Sequence, residues 1–240
     1  MRIDAKEKHF KILNDEVRSC EESEIVIDNC MGQRYIGSGM GEKHLVIHGV
    51  PGNDLGSYLN GGTIHVKGNA QDATGDTMNE GAIIIEGSSG DATGYAMRGG
   101  KIFVRNNTGY RAGIHMKAYK THMPVIVVGG EAGSFLGEYQ AGGTIIVLGI
   151  GSQKKTPVGR FCGTGMHGGK IYLRCEELPD DLPPQVEAAP ATAEDIEAID
   201  GYLSDFCGCF GLDKREVLQR PFFVLTPNTK NPYKSLYTFH

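Results

Sequence analysis

The chain has 240 residues, with 24 Lys plus Arg against 29 Asp plus Glu, a formal net charge of −5 at pH 7. That mild acidity argues against nucleic acid as the main partner, because phosphate binding needs a basic footprint. No apolar run of about 18 residues is present to predict a membrane span.

Residues 1–23 read as an N-terminal arm or cap, with Phe10, Ile12, Leu13 and Val17 as its apolar positions. The opening MRIDAKEKHFKILNDEV is charged and mixed in sign, without the apolar core of a secretory signal, so a cytoplasmic location is expected. The six cysteines, Cys20, Cys30, Cys162, Cys175, Cys207 and Cys209, form no CxxC pair and no dense framework. Free thiols in a reducing compartment are expected.

From residue 24 onward the count that stands out is glycine, 35 of 240. There is no three-residue period, which excludes collagen. The segments GGTIHVKG (61–68), EGAIIIEG (80–87), GGKIFVRN (99–106), GGTIIVLG (142–149) and GGKIYLRC (168–175) share one pattern. Aligned with looser copies, they give a first apolar column: Ile25, Leu45, Ile64, Ile83, Ile102, Val125, Ile145 and Ile171. A second column lies two residues on: Ile27, Ile47, Val66, Ile85, Val104, Val127, Val147 and Leu173. The strand period of two puts both columns on one face. Gly37, Gly56, Gly75, Gly94, Gly113 and Gly137 mark recurring turns, mostly 19 apart, each followed three residues later by Met40, Leu59, Met78, Met97, Met116 or Gln140.

A strand of about five residues cannot bury its face alone, so successive repeats must stack. The expected fold is an all-β solenoid over 24–175, a single-stranded parallel β-helix of about eight coils, right-handed because parallel crossovers are. Residues 176–192, rich in proline and acid, read as a linker. Residues 193–240 read as a C-terminal helix, beginning at Thr192 or Ala193 with Ile196, Ile199, Leu203 and Phe206 in helical spacing, and an extended aromatic tail.

The residues that look chemical have structural readings. Gly163, Gly165 and Gly168 make a G-x-G-x-x-G string, but it precedes a strand, whereas a dinucleotide fingerprint follows one and opens a helix. Five of the eight methionines, Met40, Met78, Met97, Met116 and by inference Met166, occupy one column and are expected as a core ladder. Asp72 and Asp91, one repeat apart in D-A-T-G, are expected to cap turns rather than bind calcium. The histidines His44, His48, His65, His115, His122 and His167 are scattered, and Cys207 with Cys209 lacks further metal ligands. No catalytic, cofactor-binding or metal-binding residue is assigned, and no cofactor is expected. The outward positions Ile126, Val128, Ile146 and Leu148 are apolar and are expected to mark a docking patch, or else to lie under an insertion or the C-terminal helix.

Gly130-Glu-Ala-Gly133-Ser-Phe-Leu-Gly137 is a G-x-x-G-x-x-x-G signature, with looser copies in GNAQDATGDTMNEGAIIIEG and GSSGDATGYAMRGGKIFVRN. Over roughly residues 1–175 the chain resembles the C-terminal β-helical domain of the glutamate synthase large subunit. More distantly it resembles the C subunit of formylmethanofuran dehydrogenase. The first resemblance implies a packing and spacing element without catalytic residues, whose partners are the amidotransferase chain and the FMN/iron–sulfur synthase chain. Met1-Arg2 offers no N-terminal cysteine nucleophile. The alternatives are a subunit of a one-carbon formyl-transfer complex and a stand-alone enzyme or binding module. Self-association as a homo-oligomer is compatible with all three.

Overall fold

The structure is a computed structural model describing residues 1–228. In chain order it contains β1 (Arg2–Asp4), α1 (Phe10–Ser19), β2 (Glu24–Met31), β3 (His44–Val50), β4 (Asn60–Val66), β5 (Glu80–Ile85) and β6 (Lys101–Val104). There follow β7 (Val125–Val128), β8 (Ala141–Val147), β9 (Gly168–Arg174), β10 (Val186–Pro190), α2 (Ala193–Phe210), α3 (Lys214–Val217) and β11 (Phe222–Pro227). The described strands form one eleven-stranded sheet in the order β1 to β9, then β11, then β10. Neighbours from β1 to β9 pair in parallel, whereas β11 pairs antiparallel with both β9 and β10.

The register follows from the aliphatic columns. Ile64, Ile83, Ile102, Ile126, Ile145 and Ile171 are successive partners and all are fully buried. The repeat at β7 corrects the sequence alignment: Ile126 and Val128 face the main core, while Val125 and Val127 face the opposite side. Four apolar residues in a row carry no period-two signal, and the five residues by which this repeat exceeds 19 precede the strand. Pairing, not pattern, sets its face.

The turns complete the same core. Gly75 N–H donates to Leu55 O at 2.8 Å and Gly94 N–H to Thr74 O at 2.7 Å, so each turn lies on the one before it. The column glycines take φ near +70°, as at Gly94 (+71°), and a Cβ added at Gly56 would lie 2.7 Å from Ile83 Cδ1. Both the backbone and the packing therefore demand glycine. Leu59, Met78, Met97 and Met116 are fully buried in the same core, so the methionine column is packing. Gln140 interrupts that column before Met166, also fully buried, resumes it: the Gln140 amide Nε2 donates to Gly143 O at 3.1 Å, and its Oε1 has no partner among the described residues.

The N-terminal end of this core is covered by α1 through Leu13 and Val17, with β1 adding a strand that the short segment Arg2–Asp4 did not announce. Lys43 Nζ donates to the closing carbonyls of α1, Val17 O at 2.8 Å and Cys20 O at 2.6 Å. Leu178, Leu182 and Val186 pack against the core at the other end. The stretch expected as linker thus covers core with its first part and forms β10 with its second. Pro190 is tolerated there because β10 is an edge strand. Of the aromatic and proline residues of the tail, Phe222 and Phe223 lie in β11; Pro232, Tyr233 and Tyr237 fall outside the described residues.

A second core lies on the other side of the sheet. Phe103, Val125, Val127, Ile146, Leu148 and Tyr172 pack there with Ile199, Leu203, Phe206 and Phe210 of α2. Thr192 and Asp195 form a capping box at the start of α2, the hydroxyl accepting from Asp195 N–H at 3.2 Å and Asp195 Oδ2 accepting from Thr192 N–H at 3.1 Å. Lys170 of β9 donates to Asp195 Oδ1 at 2.7 Å, tying helix to sheet. That bond, helped by Thr192, holds the Asp195 carboxyl at about 2, below its ordinary 3.8. A carboxyl depressed in the folded state stabilises the fold above its unfolded value and loses that contribution as pH falls through the folded one. Asp195→Asn is expected to lower stability at neutral pH and to flatten the acid limb between about pH 4 and pH 2. Urea denaturation at stepped pH checks this; curves for the two proteins that stay parallel through that window would contradict it.

Candidate functional site

The four positions expected to form a docking patch are covered by the chain itself. Ile126 and Val128 lie in the main core, and Ile146 and Leu148 lie beneath α2, all fully buried. The apolar outward face is a seat for α2, not open surface. Phe103 and Tyr172, the aromatics that the strands place outward, are buried in the same seat.

The other chemistry-bearing groups are largely engaged in structure. Asp72 Oδ1 accepts Asp91 N–H at 2.8 Å, and Asp91 Oδ1 accepts Tyr110 N–H at 2.8 Å, each capping the next repeat. Asn69 and Asn107 do the same for Ser88 N–H and Glu131 N–H. These side chains fill the space a Cβ would take at Gly87, Gly90, Gly109 and Gly130. The G-x-x-G-x-x-x-G signature has the same cause. Gly130 lies against the Asn107 side chain, a Cβ on Gly133 would lie 2.6 Å from Gly109 O, and one on Gly137 would lie 2.7 Å from Ile171 Cδ1. Asp91→Ala is expected to cost about 1 kcal/mol by leaving Tyr110 N–H without its acceptor. Thermal melting checks it, and an unchanged midpoint would show that the ladder contributes nothing.

His65 Nε2 lies 3.0 Å from Glu86 Oε1, which also accepts from Lys67 Nζ at 2.7 Å. Partial burial and the nearby Lys67 ammonium push His65 below its ordinary value, while the Lys67 bond pulls Glu86 down. The arrangement sets an imidazole against a carboxylate that already holds a lysine ammonium, with no nucleophile beside it among the described residues. Burial pushes the Cys162 thiol up to about 12 and the Cys30 and Cys175 thiols up to about 11, so none is activated. Cys207 and Cys209 sit two apart on α2, about 200° round the helix, and do not converge. Gly163 and Gly165 take φ of +74° and +69° in a turn, and Gly168 opens β9. Among the described residues no group of three His, Cys, Asp or Glu side chains could hold a metal ion.

Open surface of unusual character lies on the turns, where aromatic residues stand at no fixed offset from the column glycines. The residues flanking the column glycines carry Tyr58, Tyr95, Tyr110 and Phe161, which are 56%, 40%, 54% and 44% exposed. Ring contacts link neighbouring repeats: His115 stacks on Tyr139 with centroids 5.2 Å apart, Phe135 stacks on Phe161 at 4.9 Å, and Arg111 lies over Phe135 at 4.8 Å. The earlier repeats put Asp54, Asp72, Asp76 and Asp91 on this same face. Burial, and then the charge of Asp76, hold Asp54 above its ordinary value.

Stacked parallel strands and a glycine signature set by close approach between repeats define a glycine-repeat domain. The chain belongs to the GXGXG motif family, that of the C-terminal domain of the glutamate synthase large subunit; the family model matches residues 6–226. It is 47% identical over 249 residues to the uncharacterised protein MJ1350 of Methanocaldococcus jannaschii, across 98% of this chain and 95% of that protein. It is also similar to a chain of the formyltransferase/hydrolase complex (FhcABCD) from Methylorubrum extorquens, solved in complex with methylofuran. The TM-score is 0.64 at 20% identity, covering 92% of this chain and 88% of that one. At that identity the likeness is one of fold. Among the described residues no helix is long and apolar enough to cross a membrane.

Proposed function

We propose that the protein is a non-catalytic structural subunit of a glutamate synthase-type assembly in the cytoplasm, holding an amidotransferase chain and an FMN/iron–sulfur synthase chain in place. In this reading residues 24–175 coil as a right-handed parallel β-helix, with 1–23 as an N-terminal cap and the segment after 175 as a covering extension. The observation that carries the reading is family membership over residues 6–226. It is supported by the engagement of Asp, Asn, Met and Cys side chains in ladders and cores. A rigid stack suits spacing because each repeat contacts mainly its neighbours and the surface extends with repeat number. The test is co-expression with the amidotransferase and synthase chains of the same genome, followed by size-exclusion chromatography with light scattering. One complex containing all three is expected; elution of this chain apart from both would overturn the reading.

A second reading, a subunit of a formyl-transfer complex, is favoured by the fold likeness to a chain of the formyltransferase/hydrolase assembly. The same co-expression with formyltransferase chains in place of the synthase chains separates the two.

A further inference from the structure

We infer that the cleft between α1 and the first turn of the stack is a binding site for a short stretch of peptide backbone. The inference does not depend on which enzyme chains the subunit serves, and its test uses this chain alone.

The later repeats show what the donors of that turn are built to hold. In all six later turns the column glycine N–H donates to a carbonyl of the preceding turn, from Gly56 N–H on Ile36 O to Gly163 N–H on Leu136 O, both at 2.8 Å. The residue four positions on does the same, from Asn60 N–H on Met40 O to His167 N–H on Gln140 O, both at 2.8 Å. The first turn has no turn before it. Its equivalent donors, Gly37 N–H and Gly41 N–H, have no acceptor among the described residues. Gly37 is buried, and a buried N–H without a partner is rare in a folded chain.

Here α1 covers the end of the stack, and between it and the turn it leaves a cleft of about 390 Å³ lined by Asn14, Tyr35, Gly37, Gly41 and Lys43. A Cβ added at Gly41 would meet nothing within 4 Å, so the space beside that residue is open. Asn14, only 4% exposed, supplies an acceptor. Its Nδ2 donates to Arg34 O at 2.9 Å, which fixes how the amide is turned, and its Oδ1 has no partner among the described residues. A peptide answers all three groups: carbonyls for Gly37 and Gly41, and an N–H for Asn14. An anion answers them poorly. The Lys43 ammonium is already engaged by Val17 O, Arg18 O and Cys20 O at 2.8, 3.1 and 2.6 Å, Arg18 is paired with Asp15, and Asn14 Oδ1 would set a lone pair against the charge.

Nitrogen–proton NMR and amide hydrogen exchange on the full chain test the inference, with N-acetyl-triglycine amide as the probe because it offers backbone groups and no charge. Saturable shifts of the Gly37 and Gly41 amides are expected, and their exchange should slow about tenfold or more at saturation. Asn14→Ala should raise the dissociation constant of the probe about tenfold. Circular dichroism verifies folding, and Gly41→Pro, which deletes an unpartnered donor at an exposed position, replaces that variant if it does not fold. Inorganic phosphate is the comparison probe. Tighter binding of phosphate than of the peptide at the same two amides would overturn the inference. So would shifts that never saturate, exchange unchanged by the probe because water alone serves these groups, or a folded variant that binds the probe as well as the wild type.

Discussion

Gly94→Ala is expected to destabilise the protein by about 2–5 kcal/mol. The left-handed backbone at φ +71° costs a non-glycine residue about 1–2 kcal/mol. The added methyl would also overlap Ile126 Cδ1, and overpacking a filled core costs about 1–3 kcal/mol more. Only the second contribution can be relieved from elsewhere. Ile126→Val removes that δ-methyl, at a cost of its own of about 1 kcal/mol. The double variant should therefore be about 1–3 kcal/mol more stable than the sum of the single effects, a coupling that urea denaturation can measure. Strict additivity would mean that Ile126 does not face Gly94 and that the register of β7 is wrong.

Phe206→Ala is the other large expected effect, about 3–5 kcal/mol. Phe206 is fully buried, edge-on to Phe103 at 5.8 Å and to Phe210 at 4.8 Å. It is the bulk that seats α2 on the outer face of the sheet. Removing it leaves a cavity over Val125, Val127 and Ile146 that no neighbour can fill, since the strands beneath are fixed by pairing on both sides. A loss below about 1 kcal/mol in the same denaturation assay would place α2 elsewhere.

These two sites also mark how far the sequence could be read. The strands and turns between β2 and β6 were legible because aliphatic pairs and glycines recur together at 19 or 20 residues and nothing interrupts them. At β7 the strand VIVV is apolar on both faces because α2 covers its outside, so its own pattern could not choose an inward face. The signal that could have chosen it lies in the turns. Gly113 and Gly137 are 24 apart, as are Ile102 and Ile126, whereas Ile102 and Val125 are not. The apolar outward positions stand out in the sequence, but a sequence does not say whether its own helix or another chain covers such a face. The turn aromatics are not legible for a different reason. Turn positions flanking the column glycines alternate with no regular period, and Tyr58, Tyr95, Tyr110 and Phe161 occupy different places relative to their glycines. They become one surface only after the repeats stack.

The capping ladder shows the same division. Asp72 and Asp91 were readable as turn caps from their type and position. That each caps the following repeat rather than its own emerged only from the stacking, together with the reason why glycine stands at Gly90 and Gly109. Cap and glycine are two halves of one contact, and the family signature at Gly130, Gly133 and Gly137 is another instance of it.

The central claim, that this chain supplies architecture and not chemistry, is tested most directly by the turnover of an assembly reconstituted from the amidotransferase and synthase chains. Glutamine-dependent glutamate synthesis is measured with the wild-type chain, with a His65→Ala, Glu86→Gln variant, and with no chain added. The account predicts full turnover with the variant, whose changed groups form the best-equipped polar cluster described, and loss of turnover when the chain is omitted. Turnover that persists without the chain, or that collapses with the variant while the complex remains assembled, would contradict it.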